Sequence, residues 1–454
     1  MDKTQLFEKI PVKKAVLRQI IPAVASQLIV LVYNLADTYF VGMLNRPEET
    51  ASVTIAYPAF LMLTALSNLF GVGGAGALAQ ALGRKEPQKA GQISSVSFWF
   101  GVISGILYSL LFLLFANPIL TLCGAGSDTY VITYNYAKWV IIAGGTAVVL
   151  NTLLANLIRA EGNALVASFG VSFGGILNII LDPIFVLPRF LGRGAEGAGM
   201  ATAISNLTAA VFFLIYLLRN RDNSVIRLFP RYLKSVREHI STILSIGLPS
   251  ALQYALTVAA VTAQAKFVSK YTTEAIAALG IAKKMDQLPL YFSIGTSSGL
   301  LPLLAYNHAA GNQKRRKAAF RFGCLISVSF ALLCLIFYEA FAPILVSIFI
   351  KDTLTVRYAA RFLRILVLAM PLMAFCYPMT IQFQAMGQVK EALIISILRK
   401  GALDIPLLFL FDGLFPLTGC MMVQPIVDGI SMVVAIHLYR RMKYNNESIQ
   451  KLKN

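Results

Sequence analysis

Apolar residues in this chain neither alternate nor keep to one helical face; they cover all sides of long stretches, as from Ile103 to Phe115 and from Phe330 to Phe337. A helix rises about 1.5 Å per residue and a bilayer's hydrocarbon is about 30 Å thick, so about twenty such residues cross a membrane. The pattern predicts about twelve spans, near 19–43, 52–82, 91–116, 129–157, 164–187, 197–218, 241–269, 276–307, 318–350, 357–384, 391–411 and 417–439. Strands of a membrane barrel would alternate at every second position over about ten residues, and that class is excluded. The expected fold is therefore an all-α integral membrane protein.

Composition agrees, with 57% hydrophobic and 13% charged residues. A net charge of +19 would suit a nucleic-acid binder if the bases formed one patch. They instead flank the spans. With the N-terminus cytoplasmic, the inner segments hold 25 Lys and Arg, and the outer ones hold 5: Arg46, Arg189, Arg193, Lys270 and Lys351. This positive-inside bias puts both termini in the cytoplasm, in a multi-pass protein of the cell's inner (plasma) membrane. No nucleic-acid partner is expected. The basic segment Met1 to Arg18 leads into a full-length span, so the first span is expected to be retained. Cys123, Cys324, Cys334, Cys376 and Cys420 are scattered without a CxxC pair and read as small buried hydrophobes. His239, His308 and His437 fall at cytoplasmic helix ends, away from any proton relay within the bilayer.

The chain reads as a duplication. Ile21-Pro22-Ala23 is echoed by Leu248-Pro249-Ser250, Gly83-Arg84-Lys85 by Gly311-Asn312-Gln313, and the segment after the fourth span, Arg159 to Asn163, by Gln384 to Gln388. Six spans per copy make the repeats parallel, related by an axis along the membrane normal. The expected domains are an N-lobe (1–218), a cytoplasmic linker (219–240) and a C-lobe (241–454).

Asp37 and Asp182 lie within spans, where an ionisable group costs about 2.5–3.5 kcal/mol on insertion scales. Each is about 18 residues, roughly 27 Å, from the cytoplasmic start of its span, so both reach the same level. Asn178 shares a face with Asp182, and Tyr33 and Asn34 share one with Asp37. Thr202 reaches a similar depth from the other side. Two carboxylates, an amide oxygen and a hydroxyl suit Na⁺ or a shared proton; a hydrogen-bonded cluster pinning helices is the plainer alternative. Beyond a possible Na⁺ at these four residues no metal site is expected, and no cofactor. Pro22 removes a backbone bond within the first span and is a candidate gating position. Gly71, Gly73, Gly74 and Gly76, and Gly170, Gly174 and Gly175, read as close-packing faces; the GxGxxG they contain has no preceding strand and carries no dinucleotide meaning.

At these residues the chain resembles the multidrug and toxic compound extrusion (MATE) transporters of bacterial multidrug efflux type. The resemblance runs over nearly the whole length and is carried by Tyr33 to Gly42, Arg159 to Asn163, Leu177 to Pro183 and Gly197 to Thr202. It implies a V-shaped pair of six-helix lobes exporting organic, often cationic, compounds by alternating access in exchange for Na⁺ or H⁺. Carried over residue by residue, it implies cation coupling at Asp37, Asn178, Asp182 and Thr202, and a substrate cavity with Tyr33, Asn34, Asn151 and Asn156. The acid some members carry in the seventh helix is missing here, where Gln253, Thr257 and Gln264 stand instead. Gln253, Asp404 and Asp428 are then C-lobe polar contributors, and coupling is expected to rest on the N-lobe. The expected partners are a small organic cation, the coupling ion and the lipid bilayer, with the protein a monomer. A lipid-linked or polysaccharide flippase of the same superfamily is the alternative; it would need a more basic cavity, and bases within spans are expected to be few, at Lys138, Lys266, Arg361 and Arg364. A channel or receptor has no need of paired acids beside a duplicated cleft. No nucleophile–base spacing points to an enzyme.

Overall fold

The computed structural model describes residues 5–268, 270–350 and 352–453. Lys3 and Lys351, both part of the charge count above, lie outside them. Among the described residues the structure is helical throughout, without strands. A single turn, Gln5–Glu8, precedes α1 (Val12–Gly42), α2 (Pro47–Gly83) and α3 (Pro87–Leu122). Helix α4 comprises Ser127–Ala137, a π-helical turn Lys138–Ala143 and Gly145–Ala160; α5 (Ala164–Val186) and α6 (Gly194–Arg219) follow. The second half contains α7 (Val236–Val268), α8 (Thr273–Ala309) and α9 (Gln313–Ser347), then α10, made of Thr353–Val367 and Met370–Ala385. It ends with α11, built from Val389–Ile397, a π-helical turn Leu398–Ala402 and Asp404–Leu414, and with α12 (Thr418–Lys453).

Local chemistry explains the helix starts. Pro47 opens α2 with Glu48 and Glu49 in its first turn, where negative charge meets the positive end of the helix dipole. Asn312 and Asp352 cap α9 and α10 by accepting the backbone N–H of Arg315 and Thr355. Among the described residues nine helices are long and apolar enough to cross a membrane singly. Two more spans, α4 and α10, do so as pairs bent by 49° and 43°. The eleventh is broken into pieces too short to qualify alone.

The duplication is written in the backbone. Left-handed conformations at Lys85 (φ 61°) and Gly162 (φ 99°) after α2 and α4 recur at Gly311 (φ 75°) and Gly387 (φ 71°) after α8 and α10. The halves meet through the first two helices of each repeat. A Cβ on Gly73 of α2 would collide with the carbonyl of Ile243 on α7, and one on Gly299 of α8 would lie 2.8 Å from the carbonyl of Gln19 on α1. These paired approaches fall on the N-terminal halves of α1 and α7 and the C-terminal halves of α2 and α8, at the end of the bundle that carries both termini. There the first turn crosses to the other half: Phe7 is buried and stacks on Tyr306 (ring centroids 5.0 Å apart), and Arg315 donates to the carbonyls of Leu6, Phe7 and Ile10.

The segment joining the halves is fastened to the first of them. Glu161 accepts from Ser224 Oγ (3.0 Å) and Val225 N (2.6 Å), Ser94 Oγ accepts from Arg227 N, and Ser95 Oγ and Trp99 Nε1 donate to the carbonyls of Phe229 and Leu228. The Arg159-to-Asn163 motif therefore has a structural task, with Asn163 Nδ2 also donating to Tyr216 OH at 2.7 Å.

Candidate functional site

Missing side chains assemble the first site. A Cβ on Gly175 of α5 would lie 2.8 Å from Ile29 Cγ2 and 3.2 Å from Tyr33 Cδ1 on α1; one on Gly174 would lie 3.0 Å from Ala209 Cβ on α6. Glycine at both positions lets α5 approach α1 and α6 together, as small-residue faces do within a bilayer. The same packing carries Asp37, Asn178, Asp182 and Thr202 into one buried cluster. Asn178 Nδ2 donates to Asp182 Oδ1 and to Thr202 Oγ1, both at 3.4 Å. Among the described residues, Asp37 Oδ1, Asn178 Oδ1 and Asp182 Oδ2 are buried with no hydrogen-bond donor.

Three buried oxygens without a protein donor are costly unless something positive meets them. A bound cation or protons supply that, and two carboxylates with an amide oxygen and a hydroxyl form a hard-oxygen set for Na⁺. The two acids act on one another electrostatically, and both act on Tyr33 of α1 and Tyr136 of α4.

The other residues singled out by sequence are distributed more widely. Asn34 Nδ2 donates to Val30 O at 2.8 Å and reaches Tyr291 OH of α8, in the other half, at 3.3 Å. Asn151 Nδ2 donates to Asn206 Oδ1 (2.9 Å), whose own amide donates to Thr202 O, so it joins the cluster through one intermediary. Asn156 sits apart, against Gly71, accepting from Arg159 Nη1 at 2.9 Å. Pro22 precedes Asp37 by fifteen residues, roughly 22 Å along the axis, and α1 stays helical through it. Gln253 is buried with its amide nitrogen unpartnered, and Gln264 donates to Cys420 O.

Asp404 and Asp428 belong to a second cluster whose extent the sequence reading missed. Arg399 Nε donates to Asp428 Oδ1 at 2.8 Å with both groups buried, and Gln424 Nε2 donates to Asp428 Oδ2 at 2.7 Å. Lys400 Nζ donates to Gln424 Oε1 at 3.0 Å. Lys283 and Asp286 of α8 lie within electrostatic range of Lys400 and Asp428, and Lys283 also of Asp404. Contrary to the expectation from sequence, bases within the spans are not confined to Lys138, Lys266, Arg361 and Arg364; Lys283, Arg399 and Lys400 lie there too. The signal was present, since all three fall inside the predicted spans 276–307 and 391–411. Arg399 and Lys400 lie on the π-helical turn, whose register change composition does not encode.

Tyrosines connect the clusters. Tyr57 of α2 and Tyr33 act on Tyr291, Tyr57 and Tyr377 act on Tyr254 of α7, and Tyr377 lies under the Arg399 guanidinium at 4.6 Å. Tyrosines within electrostatic range of one another thus lie between the N-lobe acids and the C-lobe charges.

Comparison with known proteins gives a consistent answer. Residues 22–184 and 249–410 each match the MatE family model. The chain is 32% identical over 435 residues to the multidrug export protein MepA of Staphylococcus aureus, covering 96% of this chain and 95% of that protein. It is 30% identical to MepA of Staphylococcus saprophyticus, covering 97% and 96%. Among solved structures, the outward-facing conformation of a multidrug resistance MATE family transporter of the MOP superfamily superposes with a TM-score of 0.90 at 25% identity, over 98% of each chain.

Proposed function

The chain belongs to the MATE family and is a multi-pass membrane transporter of small molecules, of the multidrug efflux kind; from that premise we propose that it exports organic cations across the cell membrane in exchange for Na⁺ or H⁺, by alternating access. The observation that carries this reading is the cluster of Asp37, Asn178, Asp182 and Thr202 with three buried oxygens lacking a protein donor. Such a site gains most from a cation. An ion bound there in one state of the lobes and released in the other supplies the differential affinity that coupling requires. The cargo rests on the tyrosines between the clusters, whose π-faces attract organic cations by about 0.5–2 kcal/mol each. With both termini cytoplasmic, the end that carries the Gly73–Ile243 and Gly299–Gln19 approaches is the cytoplasmic one. The transporter works as a monomer, each lobe moving as a body about the α1–α8 and α2–α7 contacts.

A flippase for lipid-linked sugars would need net positive charge in the cavity; the bases of the C-lobe cluster are matched by Asp286, Asp404 and Asp428. The test is accumulation of a fluorescent organic cation in inverted vesicles while Na⁺ and pH gradients are imposed separately. Accumulation driven by either gradient supports the reading. Accumulation under neither, with the protein present and folded, refutes it.

A further inference from the structure

The exchange of a cation for an organic cation gives no task to Lys283, Lys400 or Arg399. We propose that the C-lobe cluster is an anion-recognition subsite in which Lys283 and Lys400 receive a carboxylate or similar group on the exported molecule. The inference rests on the proposed export function and specifies the cargo's second charge.

The structural role of the cluster is already filled without the lysines. Arg399 and Asp428 form a complete buried pair at 2.8 Å, and Gln424 satisfies the second oxygen of Asp428. Buried charge is retained within a membrane when it is paired or when it serves a pathway, and the lysines are not paired. Lys400 has three N–H donors and one neutral partner, Gln424 Oε1. Lys283 makes no ion pair within 4.0 Å among the described residues, although Asp286 and Asp404 balance it at longer range. Neither lysine belongs to the fully buried core, unlike Arg399 and Asp428. Arg399 Nη2 and Asp404 Oδ2 are buried and unpartnered, further marks of a site that is not closed on itself.

Position supplies the second strand of the argument. Tyr377 lies beneath Arg399 and within electrostatic range of Tyr254, which is in range of Tyr57 on the opposite lobe. The cluster therefore adjoins these tyrosines at the end opposite the N-lobe acids. A flat cargo lying on those tyrosines with its cationic end toward Asp37 and Asp182 presents its other end to Lys283 and Lys400. Lys400 donates a charge-assisted hydrogen bond to a carboxylate there, and Lys283 adds a second, each stronger than its neutral counterpart. The three acids of the cluster keep its net charge at zero when empty, which lets a simple cation pass the same wall without strong repulsion.

Two dyes that differ only at the anion make the test: rhodamine 6G, an ethyl ester, and its free acid, rhodamine 19. Both are followed in inverted vesicles carrying the full chain, at matched protein levels, under whichever gradient drives transport. In the Lys283→Gln/Lys400→Gln variant the acid-to-ester rate ratio falls about tenfold or more relative to wild type, with the change in the KM for the acid. In the Lys283→Arg/Lys400→Arg variant, which keeps the donors and the charge, the ratio returns most of the way. A ratio within about twofold of wild type in the glutamine variant overturns the subsite. So does a wild-type protein that moves the ester but not the acid, a result that leaves the export function standing. A wild-type protein that moves neither dye under any gradient removes both.

Discussion

The two lobes solve one structural problem in opposite electrostatic ways. Gly175 of α5 packs on Ile29 of α1, and Gly401 of α11 packs on Leu256 of α7, so in both halves the fifth helix sits close against the first. Above that shared geometry the N-lobe gathers two acids with only neutral neighbours in the cluster, whereas the C-lobe sets three acids against three bases. An uncompensated pair of carboxylates gains by taking up a cation and can give it back. The Arg399–Asp428 pair must break before Asp428 can bind anything. Under the proposed function, the N-lobe acids are then free to exchange an ion while the Asp428 carboxylate is held by Arg399, and this is why we assign coupling to the N-lobe alone.

The largest effect that tests this contrast is Asp37→Asn or Asp182→Asn. Each removes coupled efflux entirely while the protein stays folded and in the membrane, because neutralising a buried acid removes an ionisation cost. Ion-driven uptake in proteoliposomes measures it, and wild-type rates in both variants would return the cluster to a structural role. Next is Arg399→Met, which strands the Asp428 carboxylate and lowers stability by about 3–5 kcal/mol. Adding Asp428→Leu recovers most of that in a detergent melting experiment; no recovery would show that the charge pair is not the source of the loss.

A smaller effect separates the two glycine contacts. Gly175→Ala and Gly401→Ala each cost about 1–3 kcal/mol if the facing side chain does not give, but only Gly175→Ala lowers ion-coupled rate, since it alone presses on the helix that carries Asp37. Equal losses of coupling in the two variants would break the asymmetry. The smallest effect is Asp404→Asn, which shifts cargo affinity or rate and leaves coupling in place. If it uncouples uptake as fully as Asp37→Asn does, a distributed site replaces the N-lobe assignment.

Counting residues along straight helices placed Asp37, Asn178, Asp182 and Thr202 together, because a uniform rise converts sequence position into depth. The same arithmetic fails where the rise is not uniform. The π-helical turns of α4 and α11 and the bends of α4 and α10 change register without any signal in hydropathy. Tyr57, Tyr254, Tyr291 and Tyr377 escaped notice for another reason: aromatic residues are ordinary in membrane helices, and their common placement emerges only when four helices from two lobes are set side by side. Asn151 and Asn156, both expected in the cavity from the family resemblance, lie on one helix but point to different surroundings. Five residues beyond Asn151, Asn156 turns toward Gly71 and Arg159 instead. The spans themselves ran short of the helices, since α1 begins at Val12 rather than near residue 19, its first turns being basic and outside the apolar window.

The junction of the halves has a thermodynamic consequence. At Gly73 against Ile243, and at Gly299 against Gln19, main chain meets main chain with no side chain between them. Long side chains interlocked at such a joint would have to leave one set of rotamers and find another whenever the lobes tilt, at up to about 2 kcal/mol of entropy for each one immobilised. Glycine carries no rotamers to lose. At these two points the tilting proposed for transport therefore costs little side-chain entropy.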